Sequence, residues 1–419
     1  MSIKALICFA LVINFSLSFA GEVEQEKLYF KNLRIIAEYN RTGKFSLSQI
    51  TDAKIFVDAL LDYYNNSSSN FQGEELANPL MKQQLFAIIS SWALPLEERI
   101  RLAAERTRSE SYDLTTLFAE VIKNIEDKTI SVRAIYLLLN EEELFAARPG
   151  GEELYESLRL HNSELCEDYT KIVVSKEIIS KELLSEMFLN TPPFDDFMDG
   201  RYIDGIRLFM FCRHDRHYPC LKIAKDHQDR PVYVSEEIDE LWMQPALGSS
   251  WRGLPFNREN GNTPAGVYTI DGVMPSADEQ LIFGKYRRLI LNHIPASPDE
   301  SELKKVLTSS MAQKEWWRQS VISRDVGRSL FRIHGTGRIN NDPETTHYPF
   351  VMTSGCIASR EGKYPSNSYK DQRLLLDKLM VAMGLSPIYA NEVKIRGVLF
   401  VINIDDKKAP VTLADILIP

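Results

Sequence analysis

Cysteine is scarce in this chain, with five residues among 419, at positions 8, 166, 212, 220 and 356. So few cannot hold a chain of this length as a disulfide scaffold, and its core must rest on apolar burial. Glycine and proline, 20 and 19 residues, are too sparse for a collagen-like or low-complexity chain. Basic residues are in deficit, 49 Lys and Arg against 58 Asp and Glu, giving a formal net charge of −9 and an isoelectric point of about 5.5. Phosphate backbones need a basic face, so nucleic acid is not an expected partner. Long apolar runs are missing as well, with one exception at the start.

There, Lys4 precedes an apolar stretch from Ala5 to Phe19, broken by Asn14, Ser16 and Ser18 and followed by the acidic segment that begins Gly21-Glu22. Small residues at Ser18 and Ala20 complete the pattern of a secretory signal peptide over residues 1–20, cut after Ala20. The run is shorter than the ~20 residues a membrane span needs. Export to the periplasm or cell envelope is expected, with Cys8 lost alongside the signal.

What remains is globular in composition, 44% hydrophobic and 26% charged, and long enough for two or three domains. From Glu24 to about Leu189 apolar residues recur at three- and four-residue steps, as in Leu28, Phe30, Leu33 and Ile36, or Phe56, Leu60, Leu61 and Tyr64. Pro95 and Ser46 or Ser48 read as helix starts, and Arg148-Pro-Gly-Gly151 and Asn190-Thr-Pro-Pro193 as breaks. Near residue 195 the period changes. Ile206 to Arg213, Tyr218 to Ala224, Val267 to Ile270, Leu289 to His293, Leu330 to His334 and Val393 to Ile404 read as strands. A helical pattern returns between Asp299 and Ser323. The expected fold is multidomain α plus β: a helical bundle or short solenoid over 21–195, a mainly β domain with inserted helices over 196–404, and a tail over 405–419.

The residues with reactive chemistry lie in the second half. Ile333-His334-Gly335-Thr336 ends a strand in a glycine turn, and Thr353-Ser354-Gly355-Cys356-Ile357 follows. A free cysteine has a pKa of about 8.5, so a nucleophilic thiol needs a base, which a nearby histidine supplies. A Ser-Gly turn before the thiol aims successive backbone N–H groups at one point, the requirement for an oxyanion hole. The alternative is a buried structural cysteine beside an unrelated turn.

Together with Asn262-Thr-Pro-Ala-Gly-Val-Tyr-Thr-Ile270 upstream, this pair resembles the L,D-transpeptidase (YkuD-type) family, over roughly Arg201 to Ile404. That family carries a Thr-Pro-x-Gly-x-aromatic-x-Ile strand, an Ile-His-Gly turn and then Ser/Thr-His-Gly-Cys-Ile/Val. Here the cysteine lies 22 positions after the histidine, Ser354 stands where the family has its second histidine, and Ala358 where it has an arginine. The resemblance implies a YkuD-like catalytic domain in which Cys356 is the nucleophile and His334 the base. It also implies an oxyanion site at Ser354 and Gly355, around which Gly335, Thr336, Arg338, His347 and Arg360 are the candidate substrate contacts. Arg338, Arg360 and Lys363 are the expected replacements for the missing charge. The implied activity is cysteine acyl transfer between peptidoglycan stem peptides, without cofactor or metal. Its rivals are a hydrolytic L,D-carboxypeptidase or amidase and a non-catalytic wall-binding scaffold, with a protein partner for the helical half.

Other residues carry weaker signals. His347, nine residues before Cys356, is a second candidate base, but its loop-like sequence favours a surface histidine, as does the setting of His161 among Leu and Glu; His293 closes a strand or lines the cleft. Cys212-Arg-His214-Asp-Arg-His217-Tyr-Pro-Cys220 is compatible with a disulfide across a hairpin, with free thiols, or with zinc. Trp242, Trp251, Trp316 and Trp317 read as core or interface residues, and the Asp299 to Ser323 insertion as a lid over the cleft.

Overall fold

A computed structural model describes residues 95–109, 113–235, 237–365 and 367–417, with a few isolated positions before residue 95. The expected signal segment and most of the earliest helical pattern fall outside these residues. The chain divides into two compact units, up to Asn162 and from Ser163 onward. The second unit therefore begins before the change of period near residue 195.

The described part of the first unit is helical: α1 (Leu96–Ser109), α2 (Thr115–Glu126), α3 (Val132–Asn140), α4 (Glu142–Phe145) and α5 (Gly151–His161). Helix α1 starts directly after Pro95, as expected, and the Ser131 side chain caps α3 by accepting the Ala134 N–H at 3.1 Å. Gly150, with φ of +79°, makes the left-handed break before α5. Phe118, Val121, Ile125, Leu138, Phe145, Leu154 and Leu158 form the core, and the buried Tyr155 hydroxyl donates to the Leu138 carbonyl at 2.6 Å. His161 is exposed at the end of α5. No helix among the described residues is long and apolar enough to cross a membrane.

The second unit opens with α6 (Ser163–Val174) and α7 (Lys181–Leu189) and continues into β1 (Ile206–Cys212), β2 (Cys220–Lys225), the hairpin β3 (Tyr233–Ser235) and β4 (Ile238–Leu241), β5 (Met243–Ala246) and β6 (Gly266–Val273). Next come α8 (Gln280–Phe283), β7 (Leu289–His293), α9 (Ser301–Lys304), α10 (Ser309–Ala312), α11 (Arg318–Asp325), β8 (Phe331–His334) and β9 (Ile357–Ala358). The hairpin β10 (Glu361–Lys363) and β11 (Ser368–Lys370), α12 (Asp371–Ala382) and β12 (Arg396–Asn403) complete the order.

Eight strands form one sheet in the order β5-β2-β1-β12-β6-β7-β8-β9. β12 inserts between β1, to which it is parallel, and β6, to which it is antiparallel. Past the end of β5, Leu247 exchanges two backbone hydrogen bonds with Ala358 of β9, at 2.8 and 3.1 Å. The two edge strands thus meet, and the sheet is a nearly closed barrel.

The apolar runs 208–212 in β1 and 398–402 in β12 follow from burial on both faces. Phe209, Phe211, Val267, Val398 and Phe400 pack against Leu184, Met187 and Phe188 of α7 and against Leu303, Met311, Trp316, Trp317 and Val321. Leu208, Met210, Tyr268, Leu291, Ile333, Ile357 and Leu399 pack against Leu375, Leu379 and Met380 of α12. The 299–323 insertion is therefore a core layer rather than a lid, because its large apolar residues are buried on the sheet. Cys212 and Cys220 are joined as a disulfide across the β1–β2 hairpin, with Cα atoms 4.4 Å apart, and no metal-ligand cluster occurs among the described residues. Beyond β12, Asp405 and Asp415 both bind the buried Arg213 guanidinium, at 2.8 and 2.7 Å, and Val411 and Ile416 enter the core. The stretch expected as a tail is thereby tied to the fold.

Candidate active site

The site lies at the seam where the sheet closes. In the parallel pair of β8 and β9, Ile333 aligns with Ile357 and His334 with Ala358. Residues in register share a face and successive residues alternate. Ile333 and Ile357 point into the core, which leaves His334 and Ala358 on the other face; the same alternation, taken one residue ahead of β9, brings Cys356 to it as well. Strand pairing therefore joins the two motif residues across their 22-residue interval.

His334 is buried, and its Nδ1 lies 2.5 Å from the Gly335 carbonyl oxygen. A carbonyl only accepts, so Nδ1 carries the proton and Nε2 keeps a lone pair. Burial pushes the imidazole down to about 4; the bond to Gly335 opposes the shift, and Arg288 and Arg332 reinforce it. The ring is neutral near pH 7, the state a general base requires. The Phe283 ring meets it edge-on, with centroids 5.1 Å apart.

The Gly335 turn has no room for a side chain, because a Cβ there would meet the Glu361 carboxyl at 1.9 Å. Glu361 is itself buried and accepts the Lys285 N–H at 2.6 Å. Thr336 donates to the Leu281 carbonyl at 3.3 Å. The segment around α8 thus clamps the turn from one side.

Cys356 is half-buried, and its thiol donates to the Leu330 carbonyl at 3.8 Å. Leu330 holds φ at +61°, a left-handed conformation that leucine rarely adopts. Burial pushes the thiol up, while the Arg332 backbone N–H and the guanidiniums of Arg332, Arg328 and Arg288 pull it down. The thiol and the His334 ring share a face but are not hydrogen-bonded to each other; the S–H rests on Leu330.

Three side chains shape the turn before the thiol. Thr353 Oγ1 donates to the Cys356 carbonyl at 2.6 Å, Thr263 Oγ1 to the Gly355 carbonyl at 3.0 Å, and Trp251 Nε1 to Ser354 Oγ at 3.0 Å. Ser249, Ser250 and Trp251 run beside Thr353 with further backbone bonds. Gly355 has φ of +101°, and a Cβ there would lie 2.5 Å from both Arg328 Nη2 and the Gly261 carbonyl oxygen. Both carbonyls are held, one by Thr353 of the turn itself and one by Thr263 from outside it, and the N–H groups of Ser354, Gly355 and Cys356 meet no protein acceptor among the described residues. Three unused donors before a thiol can receive an oxyanion.

The other expected residues are placed differently. Arg338 and Lys363 are exposed, and Arg360 is spent on Asp371 at 2.6 Å and lies over Tyr369. The guanidiniums acting on the thiol are instead Arg332, Arg328 and Arg288. Arg332 had a sequence signal, since it lies two residues before His334 and so on the same face; Arg288 and Arg328 had none, because loops bring them in. His347 is buried beside His217, with ring centroids 6.3 Å apart, rather than on the surface. His293 is packed between Tyr268 and Phe331, and burial pushes it down to about 3. Trp251 is the exposed member of the tryptophan set named above, at 58%, while Trp242, Trp316 and Trp317 are buried.

No family model, curated protein or solved structure matches this chain.

Proposed function

We propose that the second unit is an exported cysteine acyltransferase of the L,D-transpeptidase kind, acting on peptidoglycan stem peptides through a Cys356 thioester. The observation that carries this reading is the convergence, at one seam, of a thiol, a neutral histidine on the neighbouring strand and three unused backbone N–H groups.

In the first step His334 Nε2 takes the thiol proton while sulfur attacks the carbonyl of the third stem residue. The N–H groups of Ser354, Gly355 and Cys356 hold the oxyanion. Collapse breaks the carbon–nitrogen bond, and His334 returns its proton to the departing D-Ala amine. An acceptor amine then attacks the thioester and restores the thiol; water in its place gives a shortened stem.

The test is incubation of the protein lacking residues 1–20 with tetrapeptide muropeptides, read by mass spectrometry. Wild type is expected to release D-Ala and form a thioester adduct at Cys356, both lost in Cys356→Ala. Cross-linked dimers mark transfer, whereas shortened monomers alone mark hydrolysis. Turnover that survives Cys356→Ala, or wild type with neither product nor adduct, overturns the proposal.

A further inference from the structure

Arg328 occupies the turn between α11 and β8 and is 9% exposed. Its Nη1 donates to the carbonyl of Asn262 at 2.9 Å and to that of Phe256, and its Nη2 to the carbonyl of Gly261 at 2.9 Å. The guanidinium lies 4.8 Å over the Phe331 ring. No carboxylate pairs with it among the described residues. Carbonyl dipoles therefore hold a buried cation with no carboxylate in ion-pair contact, Glu259 acting on it only from farther off, an expensive arrangement unless an anion forms nearby.

Two contacts indicate where that anion forms. Nη2 packs against Gly355, so closely that a Cβ on this glycine would lie 2.5 Å from it. The carbonyls that Arg328 grips belong to residues 256–262, and the next residue, Thr263, holds the Gly355 carbonyl. One side chain thus both positions the turn that carries the nucleophile and puts a fixed charge behind it.

We propose that Arg328 is a positioning residue for Cys356, whose guanidinium stabilises the thiolate and then the oxyanion formed beside Gly355. This is the charge that Ser354 and Ala358 do not supply. The oxyanion half rests on the acyl-transfer reading above; the thiolate half does not. Arg328 exchanges no proton: the thiol proton goes to His334 or to water, and the guanidinium lowers the energy of the charge left on sulfur. The other groups that face the thiol are Arg332 and His334 of β8 and Arg288 ahead of β7. Those that face the guanidinium are Tyr268 of β6, Glu259 of the 256–262 loop and the neutral His293 of β7. Among these groups Glu259 is the carboxylate.

The test needs no acyl donor, so it stands or falls apart from the muropeptide assay. Full-length protein is alkylated with iodoacetamide across pH 5 to 10 and the Cys356 adduct is quantified by peptide mass spectrometry, for wild type, R328K and R328Q, with thermal melting to confirm folding. Loss of the charge is expected to raise the alkylation midpoint by about one pH unit, slowing the reaction at pH 7 about tenfold in R328Q. R328K keeps the charge but not the three-bond fork and is expected to fall between, slowed about threefold. A folded R328Q with the wild-type midpoint overturns the proposal. Should R328Q fail to fold, R328K decides: a raised midpoint supports the proposal, and a wild-type midpoint overturns it.

Discussion

At the centre of the sheet, β1 pairs with β12 from Ile206 to Cys212 and every residue of β1 is buried, whereas at the seam β8 and β9 pair over two residues and depend on side chains from three other segments. The centre is held by interchangeable apolar contacts on both faces. The seam is held by individual hydrogen bonds, from Thr263, Thr353, Trp251 and Arg328, each from a different place in the chain. Burial of area is forgiving of detail; a turn whose carbonyls are fixed by single hydrogen bonds is not. Changes at the centre should therefore act on stability, and changes at the seam on chemistry.

The sharpest check on that division is Phe400→Ala. Phe400 is fully buried and stacks on Phe209 with ring centroids 4.8 Å apart. Its truncation should destabilise the protein by about 3–5 kcal/mol in denaturant unfolding. A loss below about 1 kcal/mol would show that the centre does not carry the fold.

A smaller effect comes from the buried seam histidine. His334 titrates at about 4 in the folded state against 6.5 unperturbed, so between these values the unfolded chain binds more protons. Its contribution is therefore constant above pH 6.5 and lost as the pH falls towards 4, amounting to about 2 kcal/mol at pH 5. His334→Gln should flatten the acid side of the stability profile by that amount; an unchanged slope would mean that the imidazole is not held neutral.

The smallest stability effect and the clearest separation are expected from Thr263→Val, which removes the hydroxyl that holds the Gly355 carbonyl. Unfolding should shift by only about 1 kcal/mol, while the proposed D-Ala release from muropeptides should slow about tenfold or more as the turn loosens. A large stability loss with unaltered turnover would erase the distinction between centre and seam.

The strands of the centre were legible in advance because burial on both faces writes itself as apolar runs such as 208–212 and 398–402. The motif residues were legible too, as were their order and the glycines that their turns require. The partners of those residues were not. Arg328 stands in a short turn without pattern, and nothing local ties it to Gly355. The helical period of the 299–323 insertion shows that it has an apolar face, but not that the face lies on the sheet rather than over the site.

Local pattern alone thus determined where strands and helices form and which side chains could be nucleophile and base, because periodicity, turn chemistry and residue type act over a few residues. Tertiary structure alone decided that the sheet closes through Leu247 and Ala358, that the thiol rests on the Leu330 carbonyl, and that the charges near it are Arg288, Arg328 and Arg332 rather than Arg338, Arg360 and Lys363. Each of these is a meeting of distant segments, set by how two packed faces of one sheet come round to each other.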